Sequence, residues 1–197
     1  LSRSRAFLEF AAPLIREAFP EASTKTPEAF TVDNLHRIQT QVQPGLIRVD
    51  ADEVTYPCHV ILRYEIEREL IGGQLEVADI PARWDAAMHE LLGLDTRGNF
   101  KDGPMQDIHW PSGAFGYFPT YTLGAMTAAQ LTAAMREDLP ALDEHLRKGE
   151  FDPIDAWLHD KVWSQASRFE SDELLTRATG RPLEAQPFID HLQARYG

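Results

Sequence analysis

Between Gly103 and Gln130 the chain reads GPMQDIHWPSGAFGYFPTYTLGAMTAAQ. Its first half sets Gln106, Asp107, His109, Trp110, Tyr117 and Tyr121 among Gly103, Gly113, Gly116, Pro111 and Pro119. The stretch is too polar for a core strand, too rich in glycine and proline for a helix interior, and too aromatic for a solvated linker. It reads as an ordered loop that feeds a helix and holds its histidine and tyrosines over a cavity. His109 and Tyr117 can donate hydrogen bonds to an oxyanion that develops during attack on a carbonyl, and doing so requires no metal ligand. In a structural role the same His109 satisfies the loop backbone and Tyr117 joins the core. Residue types alone leave both readings open.

Two further features carry chemistry. Arg48, in Ile47-Arg48, suits a bidentate grip on a carboxylate, or it pairs locally with Asp50 or Asp52. Asp52, Tyr56, His59, Arg63 and Glu67 follow one another at spacings of four, three, four and four, which aligns them along one face of a helix. That face is either solvated, with an Arg63–Glu67 pair worth a few tenths of a kcal/mol, or the wall of a cleft.

Other chemistries find no support. A helical zinc site needs two histidines four apart with a glutamate beside the first. The nearest approach is His89-Glu90-Leu91-Leu92-Gly93, where glycine replaces the second histidine, and His36, His59, His109, His145, His159 and His191 show no such spacing. The expectation is that this chain alone binds no metal. Cys58 precedes His59, but neighbours on a helix point about 100° apart, and Cys58 falls on the apolar face; it reads as a buried structural thiol. Ser112-Gly113 lacks the Gly-x-Ser-x-Gly context of a serine nucleophile, and Gly113-Ala114-Phe115-Gly116 lacks the Lys-Ser/Thr ending of a phosphate loop.

The chain has 197 residues, 31 acidic and 19 basic, for a net charge of −12. Such a surface repels phosphate backbones and argues against nucleic acid and anionic membranes as partners. One cysteine excludes an internal disulfide framework, which fits a cytoplasmic location. No apolar run approaches the ~18 residues of a spanning helix.

The elements that must position these residues are nearly all helical. Phe7, Leu8, Ala11, Leu14, Ile15 and Ala18 form a stripe in Leu1–Phe19, interrupted by Pro13. Thr26-Pro27 opens a helix to about Gln39, and Pro44-Gly45 turns into a short strand at Leu46–Val49. Ala51–Ile71 is the strongest helix, with Val54, Cys58, Ile61, Leu62 and Ile66 as its apolar face. Asp79–Leu92 ends at Gly93, Asp95–Gly113 is loop, and a long helix runs from Tyr117 or Phe118 to about Asp138. Helices follow from Pro140 to Gly149, from Asp152-Pro153 with Trp157, Leu158, Val162 and Trp163 buried, over Ser171–Thr179, and over Pro187–Tyr196. The expectation is a single all-α domain, residues 1–197, with at most a small β element. Because the chain starts at Leu1 inside a helical pattern, it is expected to be a fragment.

Three segments also resemble one peptidase family. Leu46–Arg68 is similar to the Ile-Arg-x-x-Ala-Asp segment of the thermostable, Taq-type metallocarboxypeptidases. Gly103–Trp110 matches that family's Gly-x-x-Gln-Asp-x-His-Trp, and Phe115–Gly124 its Gly-Tyr-Phe-Pro-x-Tyr-x-Leu-Gly. The resemblance implies a helical, zinc-dependent peptidase that removes C-terminal residues by metal-activated water, usually as a cytoplasmic homodimer. It also implies that the metal ligands, in His-Glu-x-x-His and a later His-Glu-Ser, belong to a part upstream of Leu1. Zn2+ is then the cofactor of the full-length enzyme and is not expected on this chain, which alone is expected to be inactive. By position, Arg48 would grip the terminal carboxylate of the peptide, His109 and Tyr117 would polarise the scissile carbonyl, and Tyr121 and Asp52 would be wall or supporting residues. The alternative is a free-standing acidic helical module for binding or dimerisation.

Overall fold

The computed structural model describes residues 1–197: ten α-helices joined by turns and short 3-10 segments, with no β-strand. The first helix, α1 (Arg5–Ala18), begins where the Ser4 hydroxyl accepts from the Phe7 N–H at 3.2 Å, satisfying an amide that has no partner within the helix. Pro13 sits inside α1 without ending it. After α2 (Pro20–Lys25), the helix expected from Pro27 is in two pieces: a 3-10 turn, Pro27–Phe30, and α3 (Val32–Gln39). The break comes at Thr31, whose hydroxyl accepts from the Asn34 N–H at 3.2 Å and acts as a second cap.

Downstream lie α4 (Tyr56–Ile71), α5 (Ile80–Leu92), α6 (Pro119–Asp138), α7 (Leu142–Lys148), α8 (Asp152–Lys161), α9 (Ser171–Thr179) and α10 (Gln186–Tyr196). Gly93, Gly149 and Gly180 close α5, α7 and α9 with φ of +69°, +71° and +80°, the left-handed conformation that glycine adopts without a Cβ clash.

The chain forms two compact units, one of Leu1–Gln41 with Met126–Gly197 and one of Val42–Ala125. The first unit is organised by hydrocarbon. Ala6, Met135, Leu142, Leu146, Ile154 and Trp157 are buried together, with Phe7, Leu131, Leu139, Phe151 and Leu158 packed against them; each large side chain contributes about 1.5–3 kcal/mol by leaving water. Phe7, Phe10 and Phe151 form an aromatic trio with ring centroids 5.5–6.2 Å apart. Polar groups inside this unit are fully answered. Buried Gln130 donates from Nε2 to Thr179 Oγ1 and to the Arg181 and Pro182 carbonyls, and its Oε1 accepts from the Glu184 N–H. Trp163 is exposed rather than buried, because α8 stops at Lys161 and the chain turns into a 3-10 segment, leaving the helical register.

In the second unit α4 packs on α5 around Leu62, Ile66, Trp84, Ala87 and Met88. The strand expected at Leu46–Val49 is not formed: Arg48–Asp50 is a 3-10 turn. Its would-be ladder bonds go to one side chain. Gln106 Oε1 accepts from the Arg48 N–H at 2.9 Å and Gln106 Nε2 donates to the Leu46 carbonyl at 3.0 Å. A β-branched segment flanked by an amide side chain in place of a second strand has no reason to extend. Helix α4 starts at Tyr56, five residues later than expected, because Asp52 builds a turn ahead of it. Asp52 Oδ1 accepts from the Val54 and Thr55 N–H groups, and Oδ2 from the Gln43 N–H, all at 2.9 Å.

Candidate functional site

The polar row of α4 faces inward. His59 and Arg63 are 0% exposed and Glu67 is 4% exposed, while Ile61, expected on the buried face, is exposed. The row is therefore neither a solvated face nor an open wall, and its charges must be answered inside the protein. Glu67 Oε1 accepts from Trp110 Nε1 at 2.8 Å and Oε2 from the Gly116 N–H at 3.1 Å, so this glutamate anchors the loop and does not pair with Arg63.

Arg63 turns to Asp107 instead. Its Nε donates to Asp107 Oδ2 at 2.7 Å and its Nη2 lies 2.6 Å from the same oxygen, outside good hydrogen-bond angles. Nη1 donates to the His59 carbonyl at 2.8 Å, and the guanidinium stacks over Trp84 and Phe118 at 4.5 and 5.3 Å. Burial, against the attraction of Asp107, lowers the pKa of Arg63 to about 10, so it stays charged at neutral pH.

The other Asp107 oxygen belongs to Arg48. Arg48 Nε and Nη2 donate to Oδ1 at 3.1 and 2.7 Å, and Nη1 donates to Tyr56 Oη at 2.7 Å. Arg48 thus pairs with neither Asp50 nor Asp52. It is 5% exposed, with the Tyr121, Phe118 and Tyr56 rings 5.0, 5.6 and 5.7 Å from its guanidinium carbon. Burial works against its charge, but the hydrogen bonds and charge interactions with Asp107 and Tyr56 together outweigh it and raise its pKa. Burial likewise pushes the Asp107 carboxyl upward, and the hydrogen bonds and charge of the two arginines prevail, holding it below its ordinary value.

His109 stands beside this cluster. Its Nε2 is 3.0 Å from Tyr121 Oη, its ring packs on Phe118 and Tyr117 at centroid distances of 4.3 and 5.6 Å, and its buried Nδ1, 3.9 Å from Asp107 Oδ1, has no hydrogen-bond partner. Tyr117 is 50% exposed and meets Tyr121 edge-on at 5.4 Å. Burial raises the Tyr121 pKa, so its hydroxyl stays protonated.

Four of the five residues singled out from sequence therefore come together: Arg48, His109, Tyr117 and Tyr121. Asp52 is committed to three backbone amides instead. The backbone bonds that hold Asp52 below its ordinary pKa overcome the opposing effect of burial. Sequence reasoning missed the clamp formed by Arg48, Asp107 and Arg63. Asp107 stood in the same motif as His109, and Arg63 in the α4 row, but their pairing spans 44 residues, beyond any local spacing rule.

The loop is held by its own residues. Gln106 Nε2 also donates to the Asp102 and Gly103 carbonyls, and a Cβ at Gly103 would lie 2.5 Å from the Asn99 carbonyl oxygen, so only glycine fits there. Gly113 and Gly116 take φ of +76° and +77°.

Burial pushes the Cys58 thiol up, the wrong direction for a nucleophile. Gly93 is the left-handed cap of α5. No group of three or more His, Cys, Asp or Glu side chains is placed to hold a metal ion. No helix is long and apolar enough to cross a membrane.

The model of the carboxypeptidase Taq (M32) metallopeptidase family matches residues 1–196. The chain is 37% identical over 196 residues to a thermostable carboxypeptidase 1 of Pyrococcus furiosus, covering 100% of this chain and 38% of that protein. It is 41% identical to a carboxypeptidase 1 of Bacillus subtilis, over 89% of this chain and 35% of that protein. Among solved structures, metallocarboxypeptidase 1 of Trypanosoma cruzi superposes with a TM-score of 0.92 at 47% identity, covering 99% of this chain and 40% of the other. An M32 carboxypeptidase of Deinococcus radiodurans gives 0.93 at 38% identity, with 100% and 39% covered. The chain thus spans about two fifths of the length of these relatives. Matched over nearly all its residues, it belongs to the carboxypeptidase Taq (M32) metallopeptidase family.

Proposed function

We propose that this chain is the substrate-facing, C-terminal part of a zinc carboxypeptidase that releases C-terminal amino acids from peptides. Arg48 receives the terminal carboxylate of the peptide. His109 and Tyr117 donate to the scissile carbonyl oxygen as it gains negative charge. Tyr121 orients the His109 ring, and Asp52 fixes the turn that carries Arg48. The observation that carries this reading is the cluster itself, with the Tyr121 hydroxyl on His109 Nε2 at 3.0 Å and the Tyr121 ring 5.0 Å from the Arg48 guanidinium. The zinc ligands lie outside residues 1–197, and the chain alone is inactive. A cytoplasmic homodimer, with residues 1–197 acting as one helical domain, belongs to the same reading.

The test uses the enzyme that contains this chain. Arg48→Ala is expected to raise KM for peptides with a free C-terminus about 10–100-fold, with little further loss on C-terminally amidated peptides. Equal losses on both substrates would remove Arg48 from carboxylate recognition. Metal analysis of the 197-residue chain after dialysis is the companion measurement. Tight, stoichiometric zinc on the chain alone contradicts the division of labour proposed here. Full activity without any further segment contradicts it as well. Loss of neither binding nor turnover in His109→Ala and Arg48→Ala together leaves the non-catalytic acidic module as the better reading.

A further inference from the structure

The Asp107 carboxylate is shared between two guanidiniums, one oxygen to each. Arg48 and Arg63 bring two positive charges to one negative charge. Glu67, the acid of the α4 polar row, spends both oxygens on Trp110 and Gly116, and no ion pair joins it to either arginine. His59 adds no compensating anion: its ring is buried, the Gly45 carbonyl does not reach hydrogen-bond geometry with it, and it is neutral at neutral pH. Within this cluster two guanidiniums therefore face one carboxylate, an excess of one positive charge.

Were Arg63 absent, Asp107 would neutralise Arg48 outright. An arginine already matched by a buried aspartate is a poor receptor for a second carboxylate, because the newcomer meets the field of the first. Arg63 changes this without reaching the ligand. It is 0% exposed, its guanidinium is fixed by the His59 carbonyl and the faces of Trp84 and Phe118, and it spends its charge on Asp107 Oδ2.

We propose that Arg63 is a positioning residue: by holding half of Asp107 it leaves Arg48 uncancelled, and so sets the affinity of the site for an anionic C-terminus. The proposal rests on the reading that Arg48 receives that carboxylate. It makes Arg63 necessary for full carboxylate affinity, although Arg63 touches no substrate.

The experiment titrates the full 197-residue chain with N-acetyl-phenylalanine and with its amide, followed by NMR. Arg48→Ala is expected to abolish the preference for the carboxylate. Arg63→Met, which keeps the length and apolar stem but not the charge, is expected to weaken the carboxylate ligand about tenfold and leave the amide unchanged. Arg63→Lys is expected to recover part of the loss. If Arg48→Ala removes the preference and Arg63→Met does not, the proposal is overturned while the function stands. If Arg48→Ala also has no effect, the carboxylate reading itself falls. Should Arg63→Met fail to fold, the arginine Nε–H signals of the wild-type chain decide. At saturation the Arg48 signal is expected to move and the Arg63 signal to keep its position and its protection from exchange. An Arg63 signal that shifts as far as that of Arg48, or that loses its protection, overturns the proposal.

Discussion

The two units of this chain are both helical and both have a hydrocarbon core, but only the second buries a charge network beside it. The first buries leucines, methionine and a phenylalanine trio, and its charges sit outside, as in Arg147 with Glu9 and Arg177 with Glu173. The second adds to its core two arginines, an aspartate, a glutamate and a histidine taken out of water. A buried ionic network is weak as a source of stability, because each charge loses its water. A helix whose inward face holds Arg63 and Glu67 is thus better explained by the site it builds than by the fold it supports.

Each half of that contrast can be attacked. The largest effect is expected from Asp107→Ala, which strands two buried guanidiniums and removes about 3–5 kcal/mol of stability; urea unfolding measures it, and a loss below about 1 kcal/mol would show that water reaches the cluster freely. In the first unit, Leu146→Ala is expected to cost about 3 kcal/mol through lost burial and a cavity, without changing the protection of amides around Arg63 in hydrogen exchange.

Acid supplies a third test. Burial and the neighbouring Arg63 lower the His59 pKa from 6.5 to about 4. The folded state therefore binds this proton less readily than the unfolded chain, so stability is full above pH 6.5 and falls between 6.5 and about 4. The difference corresponds to about 3 kcal/mol. Asp107 also has a lowered pKa, but its contribution is lost only below its ordinary value of 3.8, so the two windows are separate. His59→Gln should flatten the upper one, and an unchanged slope in that variant would assign it to other histidines. The smallest effect is expected at the surface, where Glu173→Gln should change stability by less than about 0.5 kcal/mol, and least of all at high salt.

Much of the fold was legible because helices declare their ends locally. Ser171–Thr179 was read to the residue, and Gly93, Gly149 and Gly180 were stops wherever they followed a periodic run. The loop with His109 and Tyr117 stood out by composition, and its motif order named the family. What failed was whatever depended on distant partners. Ile47-Arg48-Val49 has strand propensity, but Gln106 took its backbone bonds. On α4 the apolar Leu62 and Ile66 are buried as expected, but so is the polar row, since nothing near Arg63 in sequence announces Asp107. The bonds by which Asp52 builds its turn were not legible either, because the three amides it accepts from follow only from the path of the chain.

The polar contacts that organise the site join the Leu46–Arg48 stretch or α4 to the loop around Gln106–Gly116 across 43 to 60 residues. None of them can form inside a single helix or hairpin. Closing segments of that length has an entropic cost before any contact is made, so the helices are expected to appear in refolding ahead of the clamp, and the site to be a late event. The reverse also holds in the native state. An excursion that releases the Gln106–Gly116 loop frees the side chains of Arg48, Arg63 and Glu67 in one step, so the Arg48 amide, held by Gln106, and the Gly116 amide, held by Glu67, should exchange with solvent together. If Arg48 receives a carboxylate as proposed, binding of that ligand is expected to slow the loop's excursion.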